Sequence, residues 1–156
     1  MVGAMAAALL AMLTAVWGCP MVLAALFLPD FLSGGRYSPL RHVTPDVEVR
    51  ALEGPGVESD SYSTGRTHGS LVLVHGFAPR GKDEPRLREA ASSLARLGFE
   101  VVVPTLPALS QGKLRIDDAD RVVDAVVRAR SPLTLAAISV GAGAALAATR
   151  HPAVAR

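Results

Sequence analysis

The residues best able to do chemistry form one short run, residues 133–143. Ser139 ends an apolar segment, Gly141 and Gly143 follow it, and an alanine-rich segment with helical propensity begins at once. This pattern predicts a nucleophile elbow, a tight strand-to-helix turn that raises a serine hydroxyl above the edge of a sheet. Such a turn needs small neighbours because it brings the helix close to the strand. Ala137 stands where the pattern usually has glycine, and its side chain is a single methyl group.

A second loop bears on the role of this serine. The apolar run 71–74 leads directly into His75, Gly76 and Phe77. In a parallel sheet the carboxyl ends of the strands meet at one edge, so this loop and Ser139 are expected to lie together. Taken alone, the serine could equally be an ordinary helix N-cap. The paired loop favours the elbow.

The two loops together predict an oxyanion-binding site. A serine hydroxyl is a weak nucleophile until a base takes its proton and N–H donors receive the negative charge that develops on the substrate. The elbow would supply the N–H of Val140. The second donor would be the N–H of Phe77, with that of Ala78 as the alternative.

Two phosphate-binding patterns compete with this interpretation. Residues 76–83 approach a Walker A loop, but Asp83 occupies the position of the magnesium-binding Ser or Thr and would place an anion beside the phosphates. Residues 141–146 resemble half of a dinucleotide fingerprint, in which Leu146 replaces the third small residue. Both matches are weak, and an NTPase is disfavoured.

The elements that must position these loops alternate between strand and helix. Strands are expected at residues 47–52, 59–65, 71–74, 101–103 and 133–138, and helices at residues 84–97, 117–130 and from residue 144 onwards. Gly98 is expected to end the first of these helices, and Asp117 or Asp118 to cap the second. The alternation predicts an α/β fold with a mostly parallel sheet and flanking helices.

The N-terminal part of the chain has a different character. Residues 2–28 are apolar and uncharged, long enough to cross a hydrocarbon layer of about 30 Å. A retained inner-membrane anchor is favoured, a cleaved signal peptide with an exported or periplasmic domain is the main alternative, and a buried hairpin of helices is a third. The expected organisation is an anchor or signal segment at 1–29, a linker at 30–46 and a folded domain at 47–156.

Composition excludes several classes of function. The chain has 16 Lys and Arg against 14 Asp and Glu, a net charge of only +2, and no basic run that would bind nucleic acid. Cys19 is the single cysteine, which rules out an intrachain disulfide and an all-cysteine metal site. No metal or organic cofactor is expected.

The order of the motifs resembles a known family. His75-Gly76-Phe77, the strand ending at Pro104, and Ser139 within residues 137–141 are similar to the N-terminal half of the α/β-hydrolase fold. The likeness is nearest to bacterial serine esterases and the dienelactone-hydrolase branch, and extends from residue 47 to the C-terminus. It implies a small-molecule acyl substrate, cleaved at a carboxylic ester or related bond through an acyl-enzyme on Ser139. It gives His75 a structural role in its loop.

The chain departs from that family in its acid and base. In the family an acid and then a histidine follow the nucleophile, whereas only His151 follows Ser139 here. Twelve residues of helix separate the two by about 18 Å, which is beyond reach. The acid and base are therefore expected beyond Arg156, in a longer protein of which this is a fragment. The alternative is a non-catalytic, membrane-tethered α/β binding domain.

Overall fold

The computed structural model describes residues 20–54, 57–65 and 67–155. Five strands form one sheet: β1 (Glu48–Gly54), β2 (Val57–Ser63), β3 (Gly69–Val74), β4 (Phe99–Pro104) and β5 (Leu133–Ala137). The helices are α1 (Pro20–Ser33), α2 (Pro85–Arg96), α3 (Pro107–Ser110), α4 (Ile116–Arg128) and α5 (Gly141–Thr149), with short 3-10 turns at Pro39–His42 and Gly81–Asp83. The α/β class is confirmed, and the strands and helices follow the expected order.

The sheet is mixed. Its strand order is β1-β2-β4-β3-β5, in which β3 pairs in parallel with both β4 and β5. The pairs β1–β2 and β2–β4 are antiparallel. A short connection joins β1 to β2, and consecutive strands joined in this way must run in opposite directions. The expectation of a mostly parallel sheet therefore holds only for its β4-β3-β5 half.

Helices cover both faces of the sheet, and each face has its own apolar core. On one face α2 packs against β3 and β4; the buried residues there are Tyr62, Leu71, Leu73, Leu87, Ala91, Ala95, Val101 and Val103. On the other face α4 and α5 pack together; the cluster there includes Val72, Val74, Val102, Leu106, Leu109, Val122, Val126, Ala144, Ala145 and Ala148. Burial on both sides explains why β3 and β4 are continuous apolar runs rather than alternating ones.

The predicted end of α2 is confirmed, whereas the predicted N-cap of α4 is wrong. Gly98 follows α2 with φ of +92°, the left-handed conformation that ends many helices, as expected. The N-cap of α4 is Arg115 in an extended conformation, so the expectation of an aspartate cap is wrong. Asp118 is buried instead, and its carboxylate accepts hydrogen bonds from the N–H groups of Ala108 and Leu109 at 3.4 and 3.0 Å. It therefore caps the preceding short helix α3.

The segment predicted as a linker, residues 30–46, packs on the domain. The fully buried Asp30 accepts hydrogen bonds from Ser38 Oγ at 2.6 Å and from Ser93 Oγ of α2 at 2.9 Å. Leu40 is also fully buried. Residues 1–19, which make up most of the predicted membrane segment, lie outside the described residues. Among the described helices, none combines the length and the apolar character needed to cross a membrane.

Candidate functional site

The two chemistry-bearing loops meet at the carboxyl ends of β3 and β5, which are neighbours in the sheet. The chain leaving β3 goes on to α2 on one face, whereas the chain leaving β5 enters α5 on the other. Adjacent strands whose connections diverge to opposite faces leave a crevice between them, the usual place for a ligand in an open α/β sheet. The loop that begins at His75 and the turn at Ser139 border this crevice.

Ser139 has an unusual backbone conformation. Its φ is +54°, and no other non-glycine residue in the described part of the chain has a positive φ. The Ile138 N–H donates to Val74 O at 2.9 Å, which ties the turn to β3, and the Ala142 N–H donates to Ser139 O at 3.0 Å as α5 begins. Serine in this region costs about 1–2 kcal/mol. Ser139 is exposed and lines the cavity at this edge of the sheet.

Close backbone packing explains two of the glycines. A Cβ added at Gly141 would collide with the carbonyl of His75 and would lie 3.2 Å from Val74 Cγ1. A Cβ at Gly76 would lie 2.9 Å from Ile138 O and 3.3 Å from the Cβ of Ser139. Both positions therefore require glycine so that the two loops can touch.

Gly143 differs from these two. A Cβ at this position would meet no atom within 4 Å. The sequence pattern grouped Gly143 with Gly141, but the structure gives no steric reason for glycine there.

The predicted oxyanion donors carry free N–H groups. The N–H groups of Phe77, Ala78 and Val140 donate to no acceptor within the described residues. His75 Nδ1 lies 2.7 Å from Gly76 O, and because a carbonyl can only accept, this nitrogen carries the proton. A trans peptide directs its N–H away from its C=O. The imidazole therefore orients the peptide between Gly76 and Phe77 so that the Phe77 N–H faces away from the buried ring.

A cavity of about 970 Å³ opens beside Ser139 and the loop at His75. Its other walls come from α2 and from α1 with the turn after it, including Phe31 and Leu32. This contribution was not predicted, because residues 30–46 were interpreted as a linker outside the folded domain. No local pattern marks them: only the tertiary contact of α1 with α2 brings them to the site.

Lys82, the lysine of the Walker-like loop, forms an ion pair with a residue of β2. Lys82 Nζ pairs with Asp60 Oδ1 of β2 at 2.8 Å, and both side chains are largely buried. Burial alone would lower the pKa of Lys82, but the hydrogen bond and the negative charge of Asp60 outweigh it and raise the pKa above its ordinary value. The ammonium therefore helps to hold β2 to the loop and is not directed at a phosphate site.

The described chain shows no hydrogen-bonded catalytic partner for Ser139. No described side chain makes a hydrogen bond with Ser139 Oγ. His151 lies in the turn after α5, outside the cavity lining, and its Nδ1 accepts the N–H of Ala153 at 3.2 Å. Within residues 20–54, 57–65 and 67–155 there is also no cluster of three His, Cys, Asp or Glu side chains that could hold a metal ion.

Comparison with known proteins adds little to this geometry. No family model matches the chain, and no curated protein matches it in sequence. One solved structure with a similar backbone is described as the crystal structure of aCif-D158S; it has 19% sequence identity and a TM-score of 0.41. The alignment covers 84% of this chain, which spans 41% of that one.

Proposed function

We propose that this chain carries the nucleophile half of a serine hydrolase of the α/β-hydrolase type, which cleaves carboxylic esters or related acyl bonds. The observation that carries the proposal is the positive φ of Ser139 at the turn between β5 and α5. Strained backbone persists at functional sites when the surrounding structure holds it in place. An ordinary N-cap serine has extended rather than left-handed backbone, so a cap alone does not account for this conformation.

In the proposed reaction, Ser139 Oγ attacks the carbonyl carbon of an ester while its proton passes to a general base. The N–H groups of Phe77 and Val140 stabilise the oxyanion of the tetrahedral intermediate. Collapse of this intermediate expels the alcohol, which takes the proton back, and leaves an acyl-serine. Water then attacks the acyl-serine in a second cycle and releases the carboxylic acid. The steps call for no metal or organic cofactor, and the base and its acid partner are assigned to no residue of the described chain.

The apolar N-terminal segment bears on where the protein is located in the cell. We propose that residues 2–28 keep the hydrolase at a membrane, with the inner membrane favoured. The exposed apolar side chain of Leu28, at the described end of this segment, supports it. Fractionation of cells that express the natural gene tests this point. Recovery of the protein in the soluble fraction, without a processed N-terminus, would contradict it.

The catalytic proposal is tested by labelling with a fluorophosphonate, which reacts with activated serines. The protein expressed from its full natural gene should take up the label, and Ser139→Ala should lose it. Ser92→Ala, on α2 and outside the cavity lining, is the matched control and should keep it. Labelling that survives Ser139→Ala would refute the assignment of the nucleophile. An unlabelled natural protein would favour the non-catalytic binding domain.

A further inference from the structure

The cavity beside Ser139 is walled in part by the C-terminal end of α1. Phe31 and Leu32 face it from this helix, while Phe77 and Ile138 border it from the two loops of the site. Helix α1 and Ser139 therefore border the same cavity. A volume of about 970 Å³ is at the upper end of the range of small-molecule sites.

The apolar side chains around this cavity are unusually exposed. Phe31 is 49% exposed, Leu32 79%, Phe77 53% and Ile138 44%. Single exposed apolar residues are normal, but a group of large ones around one concave surface marks a site that binds an apolar ligand. The four side chains would lose contact with water together when such a ligand fills the cavity.

Two of the carboxylates that line the cavity, those of Asp30 and Glu89, are already paired within the protein. Asp30 accepts hydrogen bonds from Ser38 and Ser93, and the carboxylate of Glu89 pairs with Arg41 at 2.9 Å. These contacts leave neither carboxylate in need of a polar ligand. They also hold α1 and the turn after it against α2, so the apolar wall is fixed in position before any ligand binds.

We propose that this cavity binds the hydrocarbon chain of the acyl group, with Phe31 and Leu32 of α1 as the residues that set chain-length specificity. The substrate class is then esters of medium-chain fatty acids rather than acetate esters. The inference depends on the proposed function, because Ser139 fixes where the carbonyl lies. An extended acyl chain on Ser139 would run between the loop at Phe77 and the α1 wall, and each methylene placed there would leave water.

Binding to the Ser139→Ala protein tests the cavity without requiring any chemistry. Isothermal titration calorimetry with sodium octanoate should show binding at least about tenfold tighter than with sodium acetate, because a difference of even one methylene in an apolar pocket is worth that factor or more. Leu32→Ser should reduce octanoate affinity about tenfold. Leu32 is mostly exposed, so this change should leave the thermal unfolding temperature near that of the parent.

Leu28→Ser is the matched control. Leu28 lies on the same helix and is 56% exposed, but it does not line the cavity. Its substitution should leave octanoate affinity unchanged. Equal affinity for octanoate and acetate, or an equal loss in Leu28→Ser and Leu32→Ser, would overturn the inference. Tight octanoate binding to Ser139→Ala that depends on Leu32, combined with a natural protein that fluorophosphonate does not label, would instead refute the hydrolase proposal and retain the apolar site.

Discussion

The two glycines that follow Ser139, Gly141 and Gly143, should respond in opposite directions to the same substitution. Gly141 and Gly143 both lie in the first turn of α5, and neither has a positive φ, so alanine fits the backbone at both positions. Alanine is favoured over glycine inside a helix by about 1 kcal/mol. Propensity alone would therefore make both substitutions stabilising.

Packing reverses the sign at Gly141. Its added Cβ would collide with the carbonyl group of His75, 2.9 Å from the carbonyl carbon, and no flexible side chain there can move aside. Overpacking of this kind costs about 3 kcal/mol. Subtracting the gain of about 1 kcal/mol in helix propensity leaves Gly141→Ala about 2 kcal/mol less stable than the parent. Gly143→Ala has open space around its Cβ and should be up to about 1 kcal/mol more stable.

Urea denaturation followed by far-UV circular dichroism measures both free energies of unfolding. For a chain of this size, a loss of 2 kcal/mol corresponds to a fall of about 6 °C in the unfolding temperature. Gly141→Ala should also weaken fluorophosphonate labelling, because His75 and Ser139 must separate to admit the methyl group. If Gly141→Ala is as stable as Gly143→Ala, the contact between α5 and the His75 loop is not as close as described, and the steric argument fails.

Three further substitutions test the strain, the ion pair and the buried cap. Ser139→Gly should be about 1 kcal/mol more stable than Ser139→Ala in urea denaturation, because glycine adopts a positive φ without steric cost. Lys82→Met should lose about 3 kcal/mol at neutral pH, because it leaves the carboxylate of Asp60 largely buried without its partner. The raised pKa of Lys82 means that its contribution is complete below the ordinary value of 10.5 and is lost as the pH rises through the higher folded value, so the parent and Lys82→Met should converge in stability in strongly alkaline buffer. Asp118→Ala should lose about 2 kcal/mol, because two N–H groups at the start of α3 lose a charged acceptor.

Each of these has an outcome that contradicts it. Equal stability of the glycine and alanine variants at position 139 would mean that the serine is not strained. A Lys82→Met deficit that persists unchanged in strongly alkaline buffer would show that lost packing, not charge, is responsible. Asp117→Ala is the control for Asp118→Ala because Asp117 is exposed on the same turn. Equal losses in the two aspartate variants would indicate a general effect on the helix terminus.

The strands and helices of the domain could largely be predicted from local patterns. The continuous apolar runs of β3 and β4 and the helical spacing of α2 and α4 each arise from burial of neighbouring residues in one element. The position of Ser139 after a short strand was also visible, because a serine that ends an apolar run and is followed by small residues is a local pattern. The requirement for glycine at 141 is not local, because it comes from the contact with His75 of the other loop. The predicted N-cap of α4 is wrong because the carboxylate of Asp118 accepts hydrogen bonds from N–H groups nine and ten positions earlier in the chain. No local sequence pattern contains such a contact.

The sequence by itself determined the α/β class and the residue at the turn, since both follow from periodicity and backbone sterics over a few residues. Only the tertiary structure decided that β1 and β2 run antiparallel to the rest, that Lys82 is engaged by Asp60, and that α1 forms a wall of the cavity. These depend on which elements lie side by side. Which elements lie side by side depends on the burial of surfaces that are distant in sequence. The residue pattern within one segment therefore cannot predict it.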